Sequence, residues 1–200
     1  MNLDFLDDYW IHNRVSANKH FTRLNTNLIK SVGCPGLPED RIKTMYKGSK
    51  KWDLHFAQKK IAIEYKTIAS ERQQQFVVKV HDNKALHSNI ARNIGNRIEE
   101  ALGNSKDLKD LHPDYKLGYI LVVTMKREDG MVVPKKIIKE TIDTFDRMVK
   151  NNVYDFFCPL ITFGPKDHEE LSKDYCLNKF IEGIKNCPSV EISPFAEFFV

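Results

Sequence analysis

Asp53, Glu64 and Lys66 are the residues of this chain whose types and spacing could do chemistry together. They sit in the stretch Trp52 to Lys66, Trp-Asp-Leu-His-Phe-Ala-Gln-Lys-Lys-Ile-Ala-Ile-Glu-Tyr-Lys, which reads as two short strands and a tight turn. Trp52, Leu54 and Phe56 alternate with Asp53 and His55, and Ile61, Ile63 and Tyr65 alternate with Ala62, Glu64 and Lys66. That period of two is a strand's. Pairing through Ala57 to Lys60 puts both apolar sets on one face and lets Asp53, Glu64 and Lys66 converge on the other. Charges gathered on a largely buried strand are costly unless compensated, and two carboxylates beside a lysine suit a hard divalent cation. Magnesium is the expected ion, with manganese as a substitute, because it accepts one or two carboxylates and completes its octahedron with water and phosphate oxygens. Lys66 would position a water for attack on phosphorus. His55 reads as a satisfied structural residue.

The pattern Asp53, then Glu64-Tyr65-Lys66, resembles the signature of the PD-(D/E)xK nuclease superfamily, with Trp52 standing where the signature has proline. A second stretch, Asn93-Ile-Gly-Asn-Arg-Ile-Glu-Glu-Ala-Leu-Gly103, is followed by Asp107 and Leu108. Together with Lys51 to Leu54 and Ile63 to Thr67, it resembles type II restriction endonucleases of the XhoI type, over about residues 50 to 110. The resemblance implies an α/β fold with a central mixed β-sheet flanked by helices, a restriction-endonuclease-like core. It also implies a homodimer that cuts double-stranded DNA at a short palindromic sequence with magnesium and leaves 5′-phosphate ends. In that mechanism Asp53, Glu64 and the Tyr65 carbonyl hold the ion. Several nucleases of the superfamily use a further upstream acid, which makes Glu39 a candidate.

Thr67 to Gln75 follows the second strand directly and carries Ser70, Arg72, Gln73 and Gln74, side chains able to hold phosphates or read base edges. The helix expected from about Ala85 has an apolar stripe of Ile90, Ile94, Ile98, Ala101 and Leu102. Its other surface carries Asn89, Asn93, Asn96, Arg97 and Glu100. Asparagine is a poor interior helix residue, so Asn93, Asn96 and Arg97 are candidate DNA contacts. A brace around the site is the competing task, above all for Glu99 or Glu100. Two other functions remain open: a repair, junction-resolving or mobile-element nuclease on the same core, and a non-catalytic DNA-binding protein with a structural acidic cluster.

The elements that must position these residues suit one domain over 1–200, since the chain has 200 residues, 42% of them hydrophobic, and no stretch resembling a linker. Apolar spacing from Leu3 to about Val32 predicts a helical N-terminal segment ending at Gly33, and Glu39 to Tyr46 a short helix or irregular lead-in. Phe76 to Val80 reads as a short strand, and Leu117 to Met125 as a central strand covered on both faces. Lys135 to Asn152 is an amphipathic helix, Phe156 to Phe163 a strand edged at Pro159, and Asp167 to Lys185 a last helix. The aromatic tail, 191–200, is expected to dock on the body or on a second subunit. A formal charge of +4 is compatible with a nucleic-acid partner but too mild to argue for one. Lys47 to Lys51, with Lys59 and Lys60, lies beside the proposed site and reads equally as a path for a phosphate backbone or as solvated turn lysines. Cys34, Cys158, Cys176 and Cys187 form no C-x-x-C pair, which points to reduced packing residues. The acidic N-terminus resembles no signal segment and no apolar run approaches a membrane span, so a cytoplasmic protein is expected.

Overall fold

A computed structural model describes residues 3, 5–8, 15–68, 83–124, 135–162 and 172–189. The elements run α1 (Phe5–Asp8), α2 (Val15–Val32), β1 (Leu37–Pro38), β2 (Arg41–Thr44), β3 (Gly48–Lys51), β4 (Leu54–Phe56), β5 (Ile61–Ile68), α3 (Asn83–Lys109), β6 (Lys116–Thr124), α4 (Lys135–Lys150), β7 (Phe156–Thr162) and α5 (Lys173–Lys185). Five strands form a mixed sheet in the order β1-β4-β5-β6-β7, with β4 antiparallel to β5 and β6 and β7 parallel to it. β2 and β3 make a separate two-stranded hairpin.

Alternation along the central strands sorts the core into two layers. Ala62, Leu117, Tyr119 and Leu121 face one way and pack with Ala101 and Leu108 of α3 and Ile142 and Met148 of α4. Ile61, Ile63, Tyr65, Ile120 and Val122 face the other way, against Leu24 and Leu28 of α2 and Leu177, Phe180 and Ile184 of α5. The result is an α/β fold whose central mixed sheet is flanked by helices on both faces. No helix among the described residues is long and apolar enough to cross a membrane.

The hairpin expected around Ala57 to Lys60 is present. Leu54 faces Ile63 and Phe56 faces Ile61, and the turn is a 3-10 segment, Ala57–Lys59, closed where the Lys60 N–H donates to the Ala57 carbonyl at 3.0 Å. Trp52, however, does not share the face of Leu54 and Phe56. It packs in the α3 layer with Ala62 and Tyr119, because β4 begins only at Leu54 and the chain bends at Asp53, which interrupts the alternation. The lead-in expected over Glu39 to Tyr46 contains a strand instead. Ile42 and Thr44 are buried while Arg41 and Lys43 are exposed, an alternation fixed by pairing with Gly48–Lys51. Leu102, expected on the inner stripe of α3, is 45% exposed; the inward line runs instead through Ala101, Asn104, Ser105 and Leu108. Pro159 sits in β7, at the sheet's edge among the described residues, where its missing N–H is tolerated. α5 begins at Lys173, with the Ser172 hydroxyl accepting from the Tyr175 N–H at 3.2 Å. The strand read over 76–80, the residues before Ser172 in the last helix and the aromatic tail lie outside the described residues.

Candidate functional site

β5 fixes the centre of the site. Its even positions, Ala62, Glu64 and Lys66, point to the α3 layer, and β4 reaches only as far as Ile63 along it. The strand edge beyond Ile63 therefore lies open beside Asp53, and Asp53 fills it: its Oδ2 accepts from the Tyr65 N–H at 2.8 Å. Because an extended residue points its N–H and C=O to the same side, the Tyr65 carbonyl faces this edge as well.

The backbone of Asp53 is pinned on both sides. Its N–H donates to the Ile63 carbonyl at 3.1 Å, and its own carbonyl accepts from the Glu39 N–H at 3.2 Å and from Asn25 Nδ2 at 3.1 Å. The Tyr65 hydroxyl donates to Asn25 Oδ1 and so fixes which way that amide faces. The other oxygen of the half-buried Asp53 carboxylate accepts no hydrogen bond from a described residue. Burial pushes the Asp53 carboxyl above the usual aspartate range, against the Tyr65 N–H and with help from the Glu64 charge.

Glu64 is 2% exposed and surrounded by donors. Lys50 from β3 and Lys66 from β5 each place an ammonium 3.0 Å from Oε1. Asn104 of α3 gives Nδ2 at 3.1 and 3.3 Å to the two oxygens, and the Tyr154 hydroxyl donates to Oε2 at 2.8 Å. The Asn104 amide is itself oriented by Lys47, which donates to Oδ1 at 3.2 Å. Burial opposes the charge on Glu64, but the two ammoniums outweigh it and hold the carboxyl below the ordinary glutamate range. Lys50 lies over the Trp52 ring, 3.9 Å from its centroid, and burial lowers its proton affinity despite Glu64. Burial works against the charge on Lys66 too, yet Glu64 and Glu100 raise its proton affinity above that of an ordinary lysine. Lys66 reaches Glu100 Oε1 at 2.6 Å, and Arg97 holds the other oxygen at 2.8 Å. Burial disfavours the Glu100 charge, and Lys66 and Arg97 overcome it, so this carboxyl is also held low.

Asp53, Glu64, Tyr65 and Lys66 thus come together at one sheet edge. Arg97 and the brace residue Glu100 reach the same centre from α3, while Asn96 is exposed. Asn93 lies in α3, with its side chain outside the described residues, as are Ser70, Arg72, Gln73 and Gln74. Glu39 abuts Asp53 through its backbone, but its carboxylate is 66% exposed and pairs with Lys51 at 2.8 Å. His55 is a bridged, buried residue, with Nδ1 2.6 Å from Asp40 Oδ2 and Nε2 3.2 Å from the Tyr115 hydroxyl.

Asn104 and Tyr154 at the centre escape a sequence reading, as does the pairing of Lys50 with Glu64. Asn104 follows Arg97 and Glu100 at helical spacing, so the face of α3 could have disclosed it. Tyr154 lies in the turn after α4 and carries no such signal. Among the described residues no group of three or more His, Cys, Asp or Glu could hold a metal. The donors at hand are fewer but of the right kind: the Asp53 carboxylate, one oxygen of which has no donor among the described residues, the Glu64 carboxylate and the Tyr65 carbonyl, all oxygen. They fit magnesium, which binds through one or two carboxylates and retains water, better than calcium, which needs six or more oxygens. No family model, curated protein or solved structure matches this chain.

Proposed function

We propose that the protein is a magnesium-dependent endonuclease that hydrolyses double-stranded DNA at a short specific sequence, on a restriction-endonuclease-like core. The observation that carries this reading is the underbonded Asp53 carboxylate beside Glu64 and Lys66. A half-buried carboxylate with one oxygen that accepts no hydrogen bond among the described residues has room for a cation. Asp53, Glu64 and the Tyr65 carbonyl would hold the ion. When bound, it supplies Lewis-acid polarisation of the phosphate and a more acidic water. Lys66, tied to Glu64 and Glu100, would position the attacking water and stabilise charge developing on the phosphate. Glu100 and Arg97 fix the direction of that ammonium.

One specific observation favours a second reading, a DNA-binding protein without hydrolysis: Lys50 and Lys66 already neutralise Glu64, as a purely structural buried carboxylate requires. Incubation with supercoiled plasmid and magnesium separates the two. The nuclease reading expects discrete fragments with 5′-phosphate ends, and a loss of cleavage of about a thousandfold for Lys66→Ala and Glu64→Gln, with unchanged circular dichroism. DNA binding without cutting across magnesium and manganese titrations refutes it.

A further inference from the structure

We infer that Lys50 is a built-in counter-ion seated on Glu64 Oε1, so that a divalent ion enters this site only as Lys50 leaves for the incoming phosphodiester. The inference deepens the nuclease reading and rests on it.

Two lysines share Glu64 Oε1, each at 3.0 Å, and they are not equivalent. Lys66 is tied twice, to Glu64 and to Glu100, and projects from the central strand β5. Lys50 comes from the β2–β3 hairpin, outside the main sheet, and has Glu64 as its one ion-pair partner among the described residues. Its ammonium also lies over the Trp52 ring, 3.9 Å from the centroid, a weaker hold than the second carboxylate that ties Lys66, and its neighbours Ser49 and Lys51 are exposed. A long flexible side chain on such a hairpin can swing its ammonium off the ring face and outward toward a phosphate.

The charges favour that movement only when substrate is present. Asp53, Glu64 and Glu100 face Lys50, Lys66 and Arg97, and among the described residues these sum to zero. A divalent ion added to this set leaves it doubly positive. If Lys50 withdraws and one phosphodiester enters, the sum returns to zero, with the displaced ammonium on the DNA backbone. Ion and substrate then bind with positive, reciprocal coupling, and the free protein holds the ion weakly.

Binding of Mn2+ alone, followed by the electron paramagnetic resonance of the free ion, tests this on the whole chain without DNA. Lys50→Met and Lys50→Gln leave Glu64 with Lys66, Asn104 and Tyr154 as partners, and melting curves check that each variant is folded. Both are expected to bind Mn2+ about tenfold tighter than the unmodified protein, a coupling of ordinary size. The gain is expected to vanish when Glu64→Gln is added. Equal Mn2+ affinity with and without Lys50, in a protein that cuts DNA, overturns the inference and leaves the nuclease reading standing. Absence of Mn2+ binding in all three proteins together with absence of cleavage removes the nuclease reading and this inference with it.

Discussion

Two carboxylates a short way apart are set in opposite directions by their surroundings. Glu64 is held below its ordinary range by Lys50 and Lys66, although burial opposes this, so it stabilises the fold at neutral pH. That contribution is present above the unfolded glutamate value of about 4.3 and is lost as pH falls through the lower folded value. Asp53 is raised by burial, so its charge costs stability at neutral pH, and the cost disappears as pH falls below the unfolded aspartate value of about 3.9. Asp53→Asn keeps an oxygen acceptor for the Tyr65 N–H and removes the charge. The melting temperature at pH 7 is expected to rise, by about 2 °C in a chain of this size, with the gap closing toward pH 4; on the proposed nuclease function, cleavage is lost at every pH. A lower melting temperature for this variant at pH 7 contradicts the assignment of Asp53 as the strained partner. Tyr154→Phe acts oppositely. It deletes one donor to a buried carboxylate and is expected to destabilise by about 1.5 to 3 kcal/mol, measured by urea unfolding.

At the scale of elements, the sheet's packing depends on how closely β5 and β6 lie against α5. A Cβ built on Gly118 of β6 meets Phe180 Cζ at 2.8 Å and Ile63 Cγ1 at 3.2 Å. Gly118→Ala is therefore expected to cost about 1 to 3 kcal/mol, read as an earlier urea midpoint, because ring and strand must both give way. The register of β4 and β5, the central β6 and the amphipathic α4 were legible in the sequence because period two and helical spacing are strong there. The β2–β3 hairpin was not. Its second strand, Gly48–Lys51, is Gly-Ser-Lys-Lys, which has no apolar residue to mark an inner face. The hairpin tip is held by polar contacts instead, with the Met45 N–H donating to the Asp107 carbonyl and the Tyr46 N–H to Asp107 Oδ1. The placement of Lys50 was hidden for the same reason. Trp52 departs from the alternation because the bend that frees Asp53 to reach Tyr65 also turns the tryptophan to the other face, a break in the pattern at the site itself.

Across the whole molecule the sheet separates a layer that builds the site from a layer that only supports it. Leu108 of α3 and Leu177 of α5 are both fully buried, one in each layer. Each truncation to alanine removes a similar apolar volume and is expected to cost about 2 to 5 kcal/mol. Since both layers rest on the same strands β5 and β6, neither can unfold while the other keeps its support, and each variant is expected to shift one common thermal transition. Function should divide them. Leu108 lies on the inward line of α3 with Asn104, so its loss lets the helix shift against β5 and loosens the contacts of Asn104 with Glu64 and of Glu100 with Lys66. Leu177 packs behind the sheet, on the side of Ile63 and Tyr65. On the proposed nuclease function, and at a temperature where both variants remain folded, Leu108→Ala is expected to lower kcat for DNA cleavage about tenfold or more, since small misplacements of reacting groups are costly. Leu177→Ala is expected to stay within about twofold of the unmodified protein under the same conditions. Equal losses in the two variants would mean that positioning of the centre depends on the sheet as a whole and not on the contacts that α3 makes with it.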